Sequence, residues 1–186
     1  MRKMMRGTRM AAAIAMVCFC ALSVRPVRAS GSRGFRQDAA GRDARLSDFE
    51  LYLKCTIPGN AGWMDTAIDV EEGQEFYFEG EGTISLQKGN TEAVCGPDGY
   101  DFRSVQQPLL DQNLGALIGK VVMVLDVRMD EETGEETRDE LVRYFPIGAA
   151  SFAAMPLKGR LYLGINENVF KDNDGELTVL VYHKKK

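Results

Sequence analysis

Between residues 164 and 175 the chain reads Gly164-Ile165-Asn166-Glu167-Asn168-Val169-Phe170-Lys171-Asp172-Asn173-Asp174-Gly175. Three carboxylates (Glu167, Asp172, Asp174) and three side-chain amides (Asn166, Asn168, Asn173) crowd into one short segment. Such a density of oxygen donors suits a hard cation such as Ca²⁺, which takes six to eight oxygen ligands. Asn, Asp and Gly are equally the residues of ordinary turns, because they tolerate left-handed backbone and bond their own main chain. Composition therefore leaves two readings open, a cation site and a plain polar loop. An EF-hand is excluded. Placing Asp172, Asp174 and Gly175 at positions three, five and six of that loop puts Phe170 at position one and Val181 at position twelve, and neither side chain can ligate.

The segment must be held by its neighbours. Leu161-Tyr162-Leu163 precedes it and Leu177-Thr178-Val179-Leu180-Val181-Tyr182 follows, so two strand-like runs bracket the loop. Upstream, Phe49, Leu51, Leu53 and Cys55 alternate with polar neighbours, a period of two that predicts a half-buried strand. Pro58-Gly59-Asn60 breaks it. Residues 63–70 alternate again, with Met64, Thr66, Ile68 and Val70 on one face. Shorter strands are predicted over 75–80 and 83–86. A long loop over 87–113 contains the turn signal Gly96-Pro97-Asp98-Gly99. Residues 117–129 are rich in Val, Ile and Leu, 130–140 read as a charged hairpin tip, and 141–147 return as a strand. Residues 148–157 fit a strand or one helical turn. No stretch keeps a helical period for three turns. Eight or nine short strands with Gly/Pro/Asn turns predict one all-β domain over 48–183, an antiparallel β-sandwich of jelly-roll, immunoglobulin-like or barrel topology.

The first 47 residues fall outside that domain. Arg2, Lys3, Arg6 and Arg9 precede an apolar run from Met10 to Val24, and Val27-Arg28-Ala29 offers small residues at −3 and −1 of a cleavage site. Residues 1–29 thus read as a signal peptide, too short for a stop-transfer helix, and the chain is expected to be secreted or periplasmic without membrane insertion after cleavage. Residues 30–47 are polar, Gly- and Arg-rich and aperiodic, as in a disordered leader. Cleavage after Ala29 removes six basic residues and no acid, leaving 17 Lys+Arg against 27 Asp+Glu and a formal net charge of −10. That balance argues against nucleic acid and anionic lipid as partners. Cys55 and Cys95 remain as an even pair, expected in an oxidising compartment to form a disulfide. His183 is the only histidine and stands near the C-terminal lysines, so no serine or cysteine triad can be assembled. No enzyme is expected.

Several pieces in order resemble the PA-I-type calcium-dependent galactophilic lectins, a family built on a galactose-binding-like β-sandwich. They are Gly62-Trp63-Met64-Asp65-Thr66-Ala67-Ile68, Glu71-Glu72-Gly73-Gln74, Gly96-Pro97-Asp98-Gly99, Gly115-Ala116-Leu117-Ile118-Gly119-Lys120, Phe145-Pro146-Ile147-Gly148 and the closing stretch Gly159 to Gly175. The resemblance spans 62–182, apart from an extra acidic hairpin near 124–142. It implies a calcium site made by Glu167, the Phe170 carbonyl, Asp172 and Asn173, with a further carbonyl from Leu86. It also implies a glycan of galactose type, seated on the metal and contacted by Glu167, Asn168, Asp172 and Gln107. Three departures matter: Glu167 stands where the family has the shorter Asp, the loop between Glu167 and Asp172 is short, and no histidine is available to grip the sugar. Trp63, the only tryptophan, reads as a sugar platform or, more in keeping with its neighbours, as a core or rim residue. Glu79 and Glu81 could suggest glycosidase chemistry, but a solvated hairpin face explains them with fewer assumptions. The expectation is a secreted, calcium-dependent, lectin-like module. The alternative is a structural or interaction sandwich in which calcium only stabilises the fold.

Overall fold

The computed structural model describes residues 44–185. The signal peptide expected over 1–29 and most of the leader expected over 30–47 lie outside the described residues. The end of that leader departs from expectation: residues 44–46 form a helical turn. Arg45 holds it down through an ion pair to Glu75 at 2.7 Å and by lying over the Phe152 ring.

Nine strands are described: β1 Phe49–Pro58, β2 Met64–Val70, β3 Glu75–Ser85, β4 Val94–Cys95, β5 Leu117–Met129, β6 Glu136–Pro146, β7 Ala150–Ala154, β8 Gly159–Ile165 and β9 Asp174–Lys184. They form two antiparallel sheets. One runs β1-β9-β3-β4, with β7 on the same flank of β3 as β4, and the other runs β2-β8-β5-β6. The fold is the expected β-sandwich. Its core is the meeting of alternating inward side chains: Leu177, Val179 and Val181 of β9 and Phe76 and Phe78 of β3 face Leu117 and Val121 of β5 and Leu161 and Leu163 of β8. Each is almost fully buried, and burial of such a side chain stabilises by about 1.5–3 kcal/mol.

The face of β2 carrying Met64, Thr66, Ile68 and Val70 turns inward as its period predicts. Thr66 is tolerated there because its hydroxyl donates to the Leu161 carbonyl at 2.7 Å. Three elements differ from the sequence reading. β3 is a single strand through Gly80 and Gly82, where two were expected, and it pairs with β9 without a break from Phe76 to Ser85. Gly82 permits this: at φ +106° it lies where a Cβ would come within 2.5 Å of the Glu176 carbonyl. Residues 150–154 resolve as strand β7. The hairpin tip is shorter than its charges suggested, because β6 starts at Glu136.

The cysteines are also corrected. Cys55 and Cys95 are free thiols. Cys55 lies opposite Val179 on β1, whereas Cys95 lies opposite Ile84 on β4, so β9 and β3 stand between them. Three strand spacings amount to about 14 Å, and a disulfide needs Cα atoms within about 7 Å. The intact sheet cannot hold the bridge. Sequence separation suggested a loop to close, but the pairing order decides who meets.

Candidate cation and ligand site

The loop joining β8 to β9, residues 166–173, is built around two buried asparagines. Asn166 is fully buried and every polar group on it is used. Its N–H donates to the Ala116 carbonyl and its own carbonyl accepts from Gly115. Oδ1 accepts from the Leu109 N–H at 2.8 Å, and Nδ2 donates to the carbonyls of Leu109 and Asn113 at 2.9 and 3.0 Å. Asn166 is therefore a strut tying the 100–114 loop to the end of β8, not a spare donor for a ligand.

Asn173 is different. It is 2 % exposed, and its Nδ2 donates to Glu167 Oε2 at 2.6 Å and to the Gly59 carbonyl at 3.2 Å. Both partners are acceptors, so the orientation of the amide is fixed by chemistry. Its Oδ1 is left buried with no hydrogen-bond partner. A buried acceptor without a donor costs about 1–3 kcal/mol, and a cation can relieve that cost. Glu167, half-buried beside it, has its carboxyl held above the ordinary carboxylate range. Burial is the main cause and the Asp172 charge adds to it, against the Asn173 hydrogen bond that lowers it. A positive ion beside it would favour the charged carboxylate and offset both raising effects.

The other residues implied by the resemblance lie around this pair. The Phe170 carbonyl accepts from the Asn173 N–H at 3.2 Å, and its ring covers Gly62. Asp172 is exposed, and its carbonyl accepts from the Lys88 N–H, which ties the loop to the turn following β3 that contains Leu86. Leu86 packs so closely on Gly115 that a Cβ there would clash with it. Among the described residues no three His, Cys, Asp or Glu side chains converge. The anionic part of any cation shell is thus at most Glu167 and Asp172, with the balance from Asn173 Oδ1 and main-chain carbonyls. That donor set is all oxygen, and it fits Ca²⁺ in kind.

The expected sugar contacts are less well placed. Asn168 is exposed and lines a cavity of about 40 Å³ with Ala61, Trp63, Glu167 and Phe170, a space of water size. A glycan would have to lie on the open face above it. Gln107 is corrected outright: it is 4 % exposed, its Oε1 accepts from the Ser104 N–H, and its Nε2 donates to the carbonyls of Leu109 and Gln112. The side chain is consumed in folding its own loop. Trp63 is a rim residue with its ring faces occupied, Gly164 packing beneath it, Tyr144 at 5.6 Å and the Lys120 ammonium 4.6 Å from its centroid. Glu79 accepts from the hydroxyls of Tyr77 and Tyr182, whereas Glu81 is exposed. Sequence reasoning missed the part played by Gly59, whose carbonyl fixes Asn173; its only signal was the Pro58-Gly59-Asn60 break.

No protein-family model matches the chain, and no curated protein matches it. Among solved structures it is similar to the N-terminal domain of EclA, described as a PllA-like lectin, with 20% sequence identity and a TM-score of 0.50. The match covers 72% of this chain and 98% of that domain. At that identity the likeness is one of fold, and the fold is lectin-like.

Proposed function

We propose that this chain is a secreted carbohydrate-binding module that holds Ca²⁺ at the β8–β9 loop and binds a glycan over the ion, with galactose-type sugars the first class to test. The observation that carries the reading is the buried, partnerless Oδ1 of Asn173 beside the half-buried carboxyl of Glu167. Glu167, Asp172, Asn173 Oδ1 and the carbonyls of Phe170 and Leu86 would hold the ion. When bound, it supplies open coordination positions that exchange water for hydroxyl oxygens. Glu167 and Asp172 then accept hydrogen bonds from the same hydroxyls, charge-assisted and therefore strong. Secretion is supported by the basic, apolar and small-residue order of residues 1–29. The lectin-like fold supports a binding role over a catalytic one.

A second reading has its own support. With Gln107 folded inward and the cavity beside Asn168 of water size, the ion could staple β8 to β9 and bind no sugar. One pair of measurements separates the readings. Calcium at a hundredfold excess over its Kd should stabilise the fold by about 2.7 kcal/mol, and Asp172→Ala should lose most of that gain. A glycan array with calcium should then light up for the wild type and go dark in chelator. Identical melting with and without calcium removes the site, and a calcium-dependent melt with a silent array leaves only the staple.

A further inference from the structure

The hairpin of β5 and β6 outruns the sandwich. β8 accompanies β5 from Leu117 to Val122, whereas β6 stays paired with it as far as Met129 opposite Glu136. From Met123 onward β5 has a strand on one flank and none on the other. The side chains there are apolar yet exposed: Val124 46%, Leu125 61%, Val127 52% and Met129 68%. A two-stranded ribbon is marginal by itself in water, and an unpaired strand edge is a template for another strand.

The backbone shows which groups the open flank offers. Asp130 donates to the Glu135 carbonyl at 2.9 Å and accepts from Gly134, so its peptide groups face β6. Peptide groups alternate between flanks along an antiparallel strand. Those of Arg128 also face β6, and those of Val127 and Met129 face outward. In keeping with this, the Val127 N–H is capped by a side chain, Asp126 Oδ1 at 2.9 Å.

We propose that the open flank seats a second copy of this chain, the two β5 arms pairing antiparallel about a two-fold axis through Val127. The strand is self-complementary in that register. Val127 meets Val127, and Asp126 of each copy lies opposite Arg128 of the other, the arrangement of opposite charges that favours cross-strand pairs. Within one copy Arg128 pairs with Asp126 at 2.9 Å and with Asp139 at 2.7 Å. On association the Asp126 carboxylate exchanges its bonds to Val127 and to its own Arg128 for the neighbouring guanidinium, and the Val127 N–H bonds the second copy's carbonyl. Residues 130 and 131 then fall opposite residues 124 and 123, past the end of the β8 pairing, beside a groove of about 470 Å³ lined by Asp69, Glu71, Met123, Val124, Lys158 and Arg160 among others. Lys158 and Arg160 at that groove are already paired within their own copy, to Glu71 and to Asp65 and Asp69, so the charge selectivity of the pairing rests on Asp126 and Arg128. The two arms do not bring their acidic tips together. Their tips stand about 33 Å apart, five residues either side of the axis, well beyond the screening length of about 8–10 Å.

Sedimentation of the purified chain across a concentration series, with circular dichroism as the check on folding, tests the pairing. Wild type should reach the dimer mass at high micromolar concentration. Val127→Pro should be monomeric while keeping every bond to β6, since the lost N–H faces outward and edges accept proline. Arg128→Asp should also be monomeric, and Asp126→Arg combined with Arg128→Asp should restore the dimer. A wild type that stays monomeric throughout overturns the proposal, as does a monomer that captures a basic peptide instead. A dimer that survives both Val127→Pro and Arg128→Asp places the contact elsewhere and overturns it equally.

Discussion

Glu167 and Asn173 are joined by a side-chain hydrogen bond at the centre of the site. The Glu167 carboxyl is raised above its unfolded value chiefly by burial, so its charged form is the one the fold disfavours. A raised acid contributes stability below the unfolded pKa and loses it as pH climbs through the folded value. In chelator, therefore, the melting temperature should fall as pH rises above the ordinary carboxylate range, and Glu167→Gln should flatten that slope. A wild-type slope unchanged by the substitution would mean another group titrates. The loop chemistry that makes Glu167 and Asn173 candidates was legible in the sequence, since donor type and spacing are local properties. Gln107 was not, because whether an amide faces a ligand or its own loop depends on the fold of residues 104–112, and nothing in a Gln-Gln pair reports that. Asn166 misled for the same reason: it looks like a spare oxygen and is a strut.

At the level of elements, that strut couples two loops that the sequence left independent. Asn166→Ala would strip three side-chain hydrogen bonds and leave the Leu109 N–H without its partner. At about 1 kcal/mol each, a loss of about 3 kcal/mol in denaturant unfolding is expected, with faster amide exchange concentrated in residues 100–114. Uniform exchange across the molecule would argue that the loop is held by other means. Strand positions were readable from alternation, most clearly in β2 and β9, whose inward residues are the ones their period selects. The break expected between residues 80 and 83 failed because glycine was taken as punctuation. Gly82 instead lets β3 pass close to β9 at Glu176, which side-chain pattern alone cannot distinguish from a turn.

For the whole molecule, strand order is the property that hydrophobic period does not encode. Alternation says that a strand has an inner face, not which sheet it joins, and the separation of β1 from β4 by two strands is what keeps Cys55 and Cys95 apart. Thiol counting on the unreduced, denatured chain cleaved after Ala29, which retains only Cys55 and Cys95, should give two reactive groups, and reductant should not move the melting temperature. One or no free thiol would contradict the sheet order. Cys95 should react slowly in the native state, because burial, helped by the Glu167 charge, pushes its thiol up to about 11, leaving little thiolate at neutral pH.

The place of β9 has a consequence in time. It follows the other eight strands in the chain, yet it lies between β1 and β3 and supplies three of the most deeply buried core residues. Until residues 174–184 are available, β1 has no partner and the larger sheet is two pieces with a gap between them. Its pairing with β1 closes loops of more than 100 residues, and such distant contacts make folding slow. The nascent chain therefore stays open until its final strand emerges, and the sandwich completes itself by a late central insertion.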